Sequence, residues 1–121
     1  MKVQESAENY LETILILSHR LEFVRSIDIV NELNFSKPSV SVAMKNLRND
    51  GYIEVDGKGH ITLLQKGNEI AEKTYARHQF FTELFTSLGV DEETAADDAC
   101  RMEHVISAKS FAAIKNFVCK K

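Results

Sequence analysis

At Asp50-Gly51 the spacing of apolar residues changes from a helical period to strict alternation. Before that point Val40, Met44 and Leu47 recur at i, i+4 and i+7, which predicts a helix over about 37–49. Ser36 is its expected N-cap, and Pro38 falls in the first turn, where a missing N–H does no harm. The glycine at 51 stops the helix. After it, Tyr52-Ile53-Glu54-Val55 and His60-Ile61-Thr62-Leu63 alternate on either side of Asp56-Gly57-Lys58-Gly59, which predicts a short β-hairpin.

Upstream, Tyr10, Ile14 and Leu17, flanked by Leu11 and Leu15, predict a first helix over 5–19. Ser26 is the expected cap of a short second helix carrying Ile27, Val30 and Leu33, and Asn34-Phe35-Ser36 is a tight break before the third. Helix, short helix, tight turn, helix and hairpin is the order of a winged helix-turn-helix, whose second paired helix enters the major groove of DNA. Here that helix presents Lys37, Ser39, Ser41, Lys45, Asn46 and Arg48 outward. Residues 37–49 hold three basic side chains and no acidic one, within a chain of net charge −3. Attraction to phosphate dominates nonspecific DNA affinity, so the local charge counts for more than the sum. The small serines let the helix sit close to bases and phosphates, and Lys58 and His60 at the hairpin tip are within reach of the backbone or minor groove. A protein-interaction module has the same element order and remains the alternative.

Downstream the pattern is helical throughout. A long helix over about 66–88 carries Ile70, Tyr75, Phe80, Phe81, Leu84 and Phe85 and ends at Gly89. Asp91 caps a helix over about 92–105, and Ser107 caps a last one over about 108–119 with Phe111, Ile114 and Phe117. One proline and five glycines in 121 residues suit long, uninterrupted helices. The fold class is mostly α: a winged helix-turn-helix with a short β-hairpin wing over 1–65, and a helical segment over 66–121. No apolar run approaches the ~18 residues that span a membrane. Met1-Lys2-Val3-Gln4-Glu5 has no apolar core of a secretory signal, so the cytoplasm is the expected location. In that reducing compartment Cys100 and Cys119 are each read alone rather than as a disulfide.

Cys100, Glu103 and His104 stand at i, i+3 and i+4, within an arc of roughly 100° on a helix. A thiolate, a carboxylate and an imidazole then converge on one point. His78, with Glu83 nearby, lies on the long helix, and Glu12 and Asn9 share a face of the first. Each has an ordinary alternative: a buried thiol for Cys100, a hydrogen-bonded packing residue for His104, a surface histidine for His78, a solvated carboxylate for Glu12.

The stretch Asp98-Ala99-Cys100-Arg101-Met102-Glu103-His104-Val105-Ile106-Ser107 closely resembles the metal-binding helix of the iron-dependent (diphtheria toxin) repressor family. Asn9-Tyr10-Leu11-Glu12-Thr13-Ile14, Ser36-Lys37-Pro38-Ser39-Val40-Ser41 and Arg77-His78 match in order, so the resemblance runs through essentially the whole chain. It is to the two-domain form, without the SH3-like third domain of longer members, as in the related manganese transport regulators. The resemblance implies a metal site of Glu12, His78, Cys100, Glu103 and His104, with Asn9 in or beside it. The expected DNA contacts, from the start and outward face of the third helix and from the hairpin tip, are Ser36, Lys37, Pro38, Ser39, Ser41, Lys45, Arg48 and Lys58.

Iron-type members usually have methionine at Asn9. Manganese-type members usually have aspartate there and glutamate at Cys100. Ala96 and Thr82 stand where an ancillary site has a histidine and an acidic residue, so a full second site is not expected. A thiolate with imidazoles and carboxylates suits Fe(II), Zn(II), Co(II) or Ni(II) better than Mn(II). Fe(II) is therefore the expected metal, with Mn(II) still possible.

The function implied is a metal-activated regulator, a repressor of metal-uptake genes, binding a palindromic double-stranded operator as a homodimer. Ligands drawn from both halves would fix one relative to the other and set the spacing of two recognition helices. The expected dimer surface draws on Phe80, Phe81, Leu84, Phe85, Phe111, Ile114 and Phe117, some of which must instead form the local core, and the sequence does not sort them. A competing reading is a winged-helix redox sensor using Cys100 beside Arg101 without metal. A hydrolase using Cys100 and His104 is disfavoured, since the chain has no glycine-rich loop and no evident oxyanion donors, and the chain is not expected to be an enzyme.

Overall fold

The computed structural model describes residues 5–120, in the order α1 (Glu5–Ser18), α2 (Ser26–Leu33), α3 (Lys37–Asn49), β1 (Ile53–Val55), β2 (Ile61–Leu63), α4 (Gln65–Ser87), α5 (Glu92–Met102) and α6 (Ala108–Cys119). The absence of a secretory signal was expected from residues 1–5, of which Met1–Gln4 lie outside the described residues. Among the described residues no helix is long and apolar enough to cross a membrane. The chain forms two compact units that divide within α4, between Ala76 and Arg77. The division expected at 65/66 lies at the start of that helix.

The first unit is the winged helix-turn-helix. Tyr10, Leu11, Ile14, Leu15 and Leu17 of α1 pack with Ile29, with Val40, Met44 and Leu47 of α3, and with Ile53 and Ile61 of the hairpin. Ser36 caps α3, accepting a hydrogen bond from the Ser39 N–H at 3.2 Å. Asn34 takes the left-handed conformation (φ 57°) that turns α2 into α3, and Gly51 does the same after α3 (φ 82°).

Two details of α2 differ from expectation. Ser26 is its first helical residue, and the N-cap is Arg25, whose backbone N–H donates to Asp28 Oδ2 at 2.8 Å. The start is fixed by a carboxylate inside the first turn rather than by a hydroxyl before it. Ile27 is 43% exposed, whereas Ile29 is wholly buried. The two lie about 200° apart around the helix, so seating Ile29 in the core turns Ile27 to solvent.

β1 and β2 pair antiparallel, with Ile53 opposite Leu63 and Val55 opposite Ile61. Ile61 also bridges Val24, donating its N–H to the Val24 carbonyl at 2.7 Å, which ties the wing to the α1–α2 connection. In the turn, the Asp56 carboxylate accepts the backbone N–H groups of His60 (2.9 Å) and Lys58 (2.8 Å). Those bonds, His60 first, hold its carboxyl below the usual range. Gly67, in the first turn of α4, meets the backbone of Tyr52: a Cβ there would lie 2.2 Å from the Tyr52 carbonyl oxygen.

The second unit is built around Phe81, which is buried and within 5.5–6.0 Å, ring to ring, of Phe80, Phe85 and Phe111. Phe81, one of the residues expected at the dimer surface, therefore belongs to the local core. Asp91 caps α5, accepting from the Thr94 N–H at 3.0 Å, and Ala95 and Ala99 are its buried face. α5 ends at Met102 rather than at 105: Val105 N–H donates three residues back to the Met102 carbonyl at 3.2 Å, tightening the last turn. Ser107 then caps α6, none of whose described residues is fully buried.

Candidate metal centre and nucleic-acid interface

Within the second unit, Cys100, Glu103 and His104 come together, and His78 lies beside Glu103. His78 projects from α4, Cys100 from the last turn of α5, and Glu103 and His104 from the turn that follows. Glu103 keeps helical dihedrals (φ −61°, ψ −25°), so the i, i+3, i+4 convergence survives although the helix has formally ended. Donor atoms of Cys100, Glu103 and His104 lie within 4.8 Å of one another. Glu103 Oε1 is 3.4 Å from His78 Nδ1 and 3.9 Å from His104 Nε2. Metal–ligand bonds of about 2.0–2.3 Å place donors on one ion roughly 3–4.5 Å apart, so the cluster has the right dimensions.

Burial gives the cluster its meaning. Glu103 is 1% exposed, and neither of its carboxylate oxygens, nor His78 Nδ1, has a hydrogen-bond partner among the described residues. A carboxylate kept from water without hydrogen bonds costs several kcal/mol in idealised terms, a cost that a bound cation offsets. The donor set of thiolate, carboxylate and imidazoles fits a divalent transition metal.

Arg77 is a residue that sequence reasoning did not single out as functional. Its Nη1 donates to the Glu103 carbonyl at 3.1 Å and the Ile106 carbonyl at 2.9 Å, and its guanidinium lies 5.3 Å from the Phe111 ring centre. It ties α4 to the turn bearing Glu103 and His104 and satisfies carbonyls at the end of α5. The remaining expected positions fall elsewhere. Glu12 is buried (4% exposed) on α1 of the first unit, and Asn9, half-buried one turn before it, accepts Thr13 Oγ1 at its carbonyl. Thr82 Oγ1 donates to the His78 carbonyl at 2.7 Å, a helix-internal bond. Cys119 is exposed at the end of α6.

On α3 the expected DNA-contacting residues Ser36, Lys37, Pro38, Ser39, Ser41, Lys45 and Arg48 are all exposed, and so is Lys58 at the wing tip. His60 is not free to reach outward. Its ring stacks on Phe23 with centroids 4.0 Å apart, Nε2 accepts from Arg25 Nη2 at 2.8 Å, and Nδ1 lies 3.2 Å from Asp56.

Residues 2–61 match the iron dependent repressor N-terminal DNA binding domain, and residues 64–120 match the iron dependent repressor metal binding and dimerisation domain. An HTH-type transcriptional regulator of Methanocaldococcus jannaschii is 32% identical, over 98% of this chain and 96% of its own. The chain belongs to the iron-dependent repressor family. The transcriptional regulator MntR of Escherichia coli O157:H7 is 31% identical, over 97% of this chain and 76% of its own length. Among solved structures, the manganese regulator SloR superposes with a TM-score of 0.81 at 25% identity, and this family member spans 54% of the SloR chain. The unit carrying the ligand cluster thus falls largely in the family's metal-binding domain, and the unit carrying the basic helix in its DNA-binding domain.

Proposed function

We propose that the chain is a metal-activated transcriptional repressor that binds a palindromic DNA operator as a homodimer, with Fe(II) as its preferred metal. One observation carries the reading: the Glu103 carboxylate is buried with no hydrogen-bond partner among the described residues, beside His78 and in one group with Cys100 and His104, in the unit that matches the family's metal-binding domain. His78, Cys100, Glu103 and His104 would hold the ion, and Glu12 with Asn9 would add ligands from α1. When bound, the cation supplies positive charge that compensates the buried carboxylates. The thiolate of Cys100 favours a softer ion over Mn(II), which motivates Fe(II), with Zn(II), Co(II) and Ni(II) as further candidates. The likeness to the manganese regulator SloR supports Mn(II) as the second candidate.

Ligands drawn from both α1 and the second unit would, in this reading, couple the DNA-reading unit to the dimerising one. In a twofold dimer this sets two copies of α3 at the spacing of successive major grooves, ~34 Å. Coupling of this kind is worth ~1–3 kcal/mol, about 5–150-fold in DNA affinity. A redox sensor using Cys100 alone would leave Glu103 buried with no cation to balance it. To test the assignment, Cys100→Ala and His104→Ala are compared with wild type for operator binding with and without metal. Both variants are expected to keep fold and dimer and to lose the metal response. A variant that keeps its response removes that residue from the site.

A further inference from the structure

We propose that Val42 is a specificity-determining residue of the DNA-reading face, seated against the 5-methyl group of a thymine in the major groove. This rests on the DNA-binding reading above. Val42 is 60% exposed, the most exposed large hydrophobic residue among the described residues of the first unit. It lies at the centre of the outward face of α3, about 200° around from Val40, which anchors the buried stripe with Met44 and Leu47. No rotation of α3 that keeps those three in the core can bury Val42 within its own unit.

Its neighbours one turn away, Pro38, Ser39, Lys45 and Asn46, are all exposed. The surface is therefore one apolar side chain, with the proline ring beside it, in a field of hydroxyl, amide and cationic groups. Valine is also a weaker helix former than the lysine, arginine or alanine that a purely solvated position favours. The basic residues Lys45 and Arg48 on this helix draw it to phosphate and identify the occupant as nucleic acid.

Within the major groove the base edges are dominated by hydrogen-bond donors and acceptors, and only one of them, that of thymine, carries a methyl group. Val42 can neither donate nor accept through its side chain. Over a G·C pair it would strip water from polar edges and return nothing, whereas over thymine it covers a methyl with methyls. The inference is a preference for T·A at one fixed position of each half-site.

The experiment starts from duplexes selected from a degenerate pool by the metal-loaded full chain. Each thymine of the selected duplex is then replaced in turn by deoxyuridine, which removes only the methyl. Affinities are measured for wild type and for Val42→Ala, an exposed substitution by a strong helix former. For wild type, one replacement per half-site is expected to weaken binding about fourfold, the worth of one buried carbon. For Val42→Ala that replacement is expected to have no effect, and a fresh selection should lose the thymine preference there alone. The proposal is overturned if every replacement acts equally on both proteins. It is likewise overturned if Val42→Ala instead impairs dimer formation, which would make this surface a protein contact. Failure of the wild type to select any duplex in any metal state would refute the DNA-binding reading itself.

Discussion

Replacing Glu103 by methionine separates a carboxylate kept for a cation from one kept for the fold. Glu103 is 1% exposed and neither carboxylate oxygen is hydrogen-bonded among the described residues, with the imidazoles of His78 and His104 at 3.4 and 3.9 Å. An unsatisfied buried polar group costs ~1–3 kcal/mol, more when charged. Methionine is unbranched, adaptable and of similar size, so its own fit costs under about 1.5 kcal/mol. The expected balance in chelator is a gain of roughly 1–2 kcal/mol, which raises the melting temperature by about 3–8 °C for a chain of this size. Added metal reverses the order. A site filled at a hundred times its Kd stabilises the wild type by ~2.7 kcal/mol, and the variant should gain little. Thermal unfolding at fixed protein concentration, in chelator and then in Fe(II), Mn(II) or Zn(II), reads both effects. A variant that loses ~3–5 kcal/mol in chelator would refute the reasoning, because that is the signature of a broken structural ion pair.

Arg77→Ala removes no ligand but frees the turn bearing Glu103 and His104, and metal affinity measured by competition with a chromophoric chelator should fall about 10–100-fold. An unchanged affinity would show that the turn is held by something else. Gly67→Ala drives a Cβ to 2.2 Å from the Tyr52 carbonyl oxygen, a backbone atom that cannot swing aside. Its urea midpoint should drop by the equivalent of ~1–3 kcal/mol, and an unaltered midpoint would contradict the close packing of α4 on the wing. Asp91, which caps α5, has its carboxyl held below the usual range by the Thr94 N–H. A depressed carboxyl stabilises above its unfolded pKa of about 3.9 and loses that contribution as pH falls through its folded value. Asp91→Ala should therefore melt lower than wild type at neutral pH, with the gap closing in acid. A gap independent of pH would mean that the charge plays no part.

The recognition helix and hairpin were legible because their ends are written in local chemistry. Ser36, Asn34 and Gly51 each do at the backbone what their residue types favour. α2 was less legible because an eight-residue helix offers too few turns to tell Ile27 from Ile29 by spacing, and because its cap is a carboxylate inside the helix. The single bridge from Val24 to Ile61 has no period to detect. The convergence of Cys100, Glu103 and His104 was readable, since their spacing needs only helical dihedrals and these continue past the last helical bond. Arg77 was not, because an arginine within a helical pattern reads as solvated until its carbonyl partners, 26 and 29 residues on, are seen. Phe81 illustrates the same limit: in a cluster of aromatic residues the sequence does not say which ring goes inward.

The central claim is tested most directly by the binding of the chain to a degenerate pool of duplex DNA under anaerobic conditions, first with chelator and then with Fe(II), Mn(II) and Zn(II) in turn. The account predicts sequence-selective binding only when a divalent metal is present, with Fe(II) more effective than Mn(II). Selective binding that is indifferent to chelator and metal would contradict it, leaving a winged helix whose buried Glu103 has some other purpose.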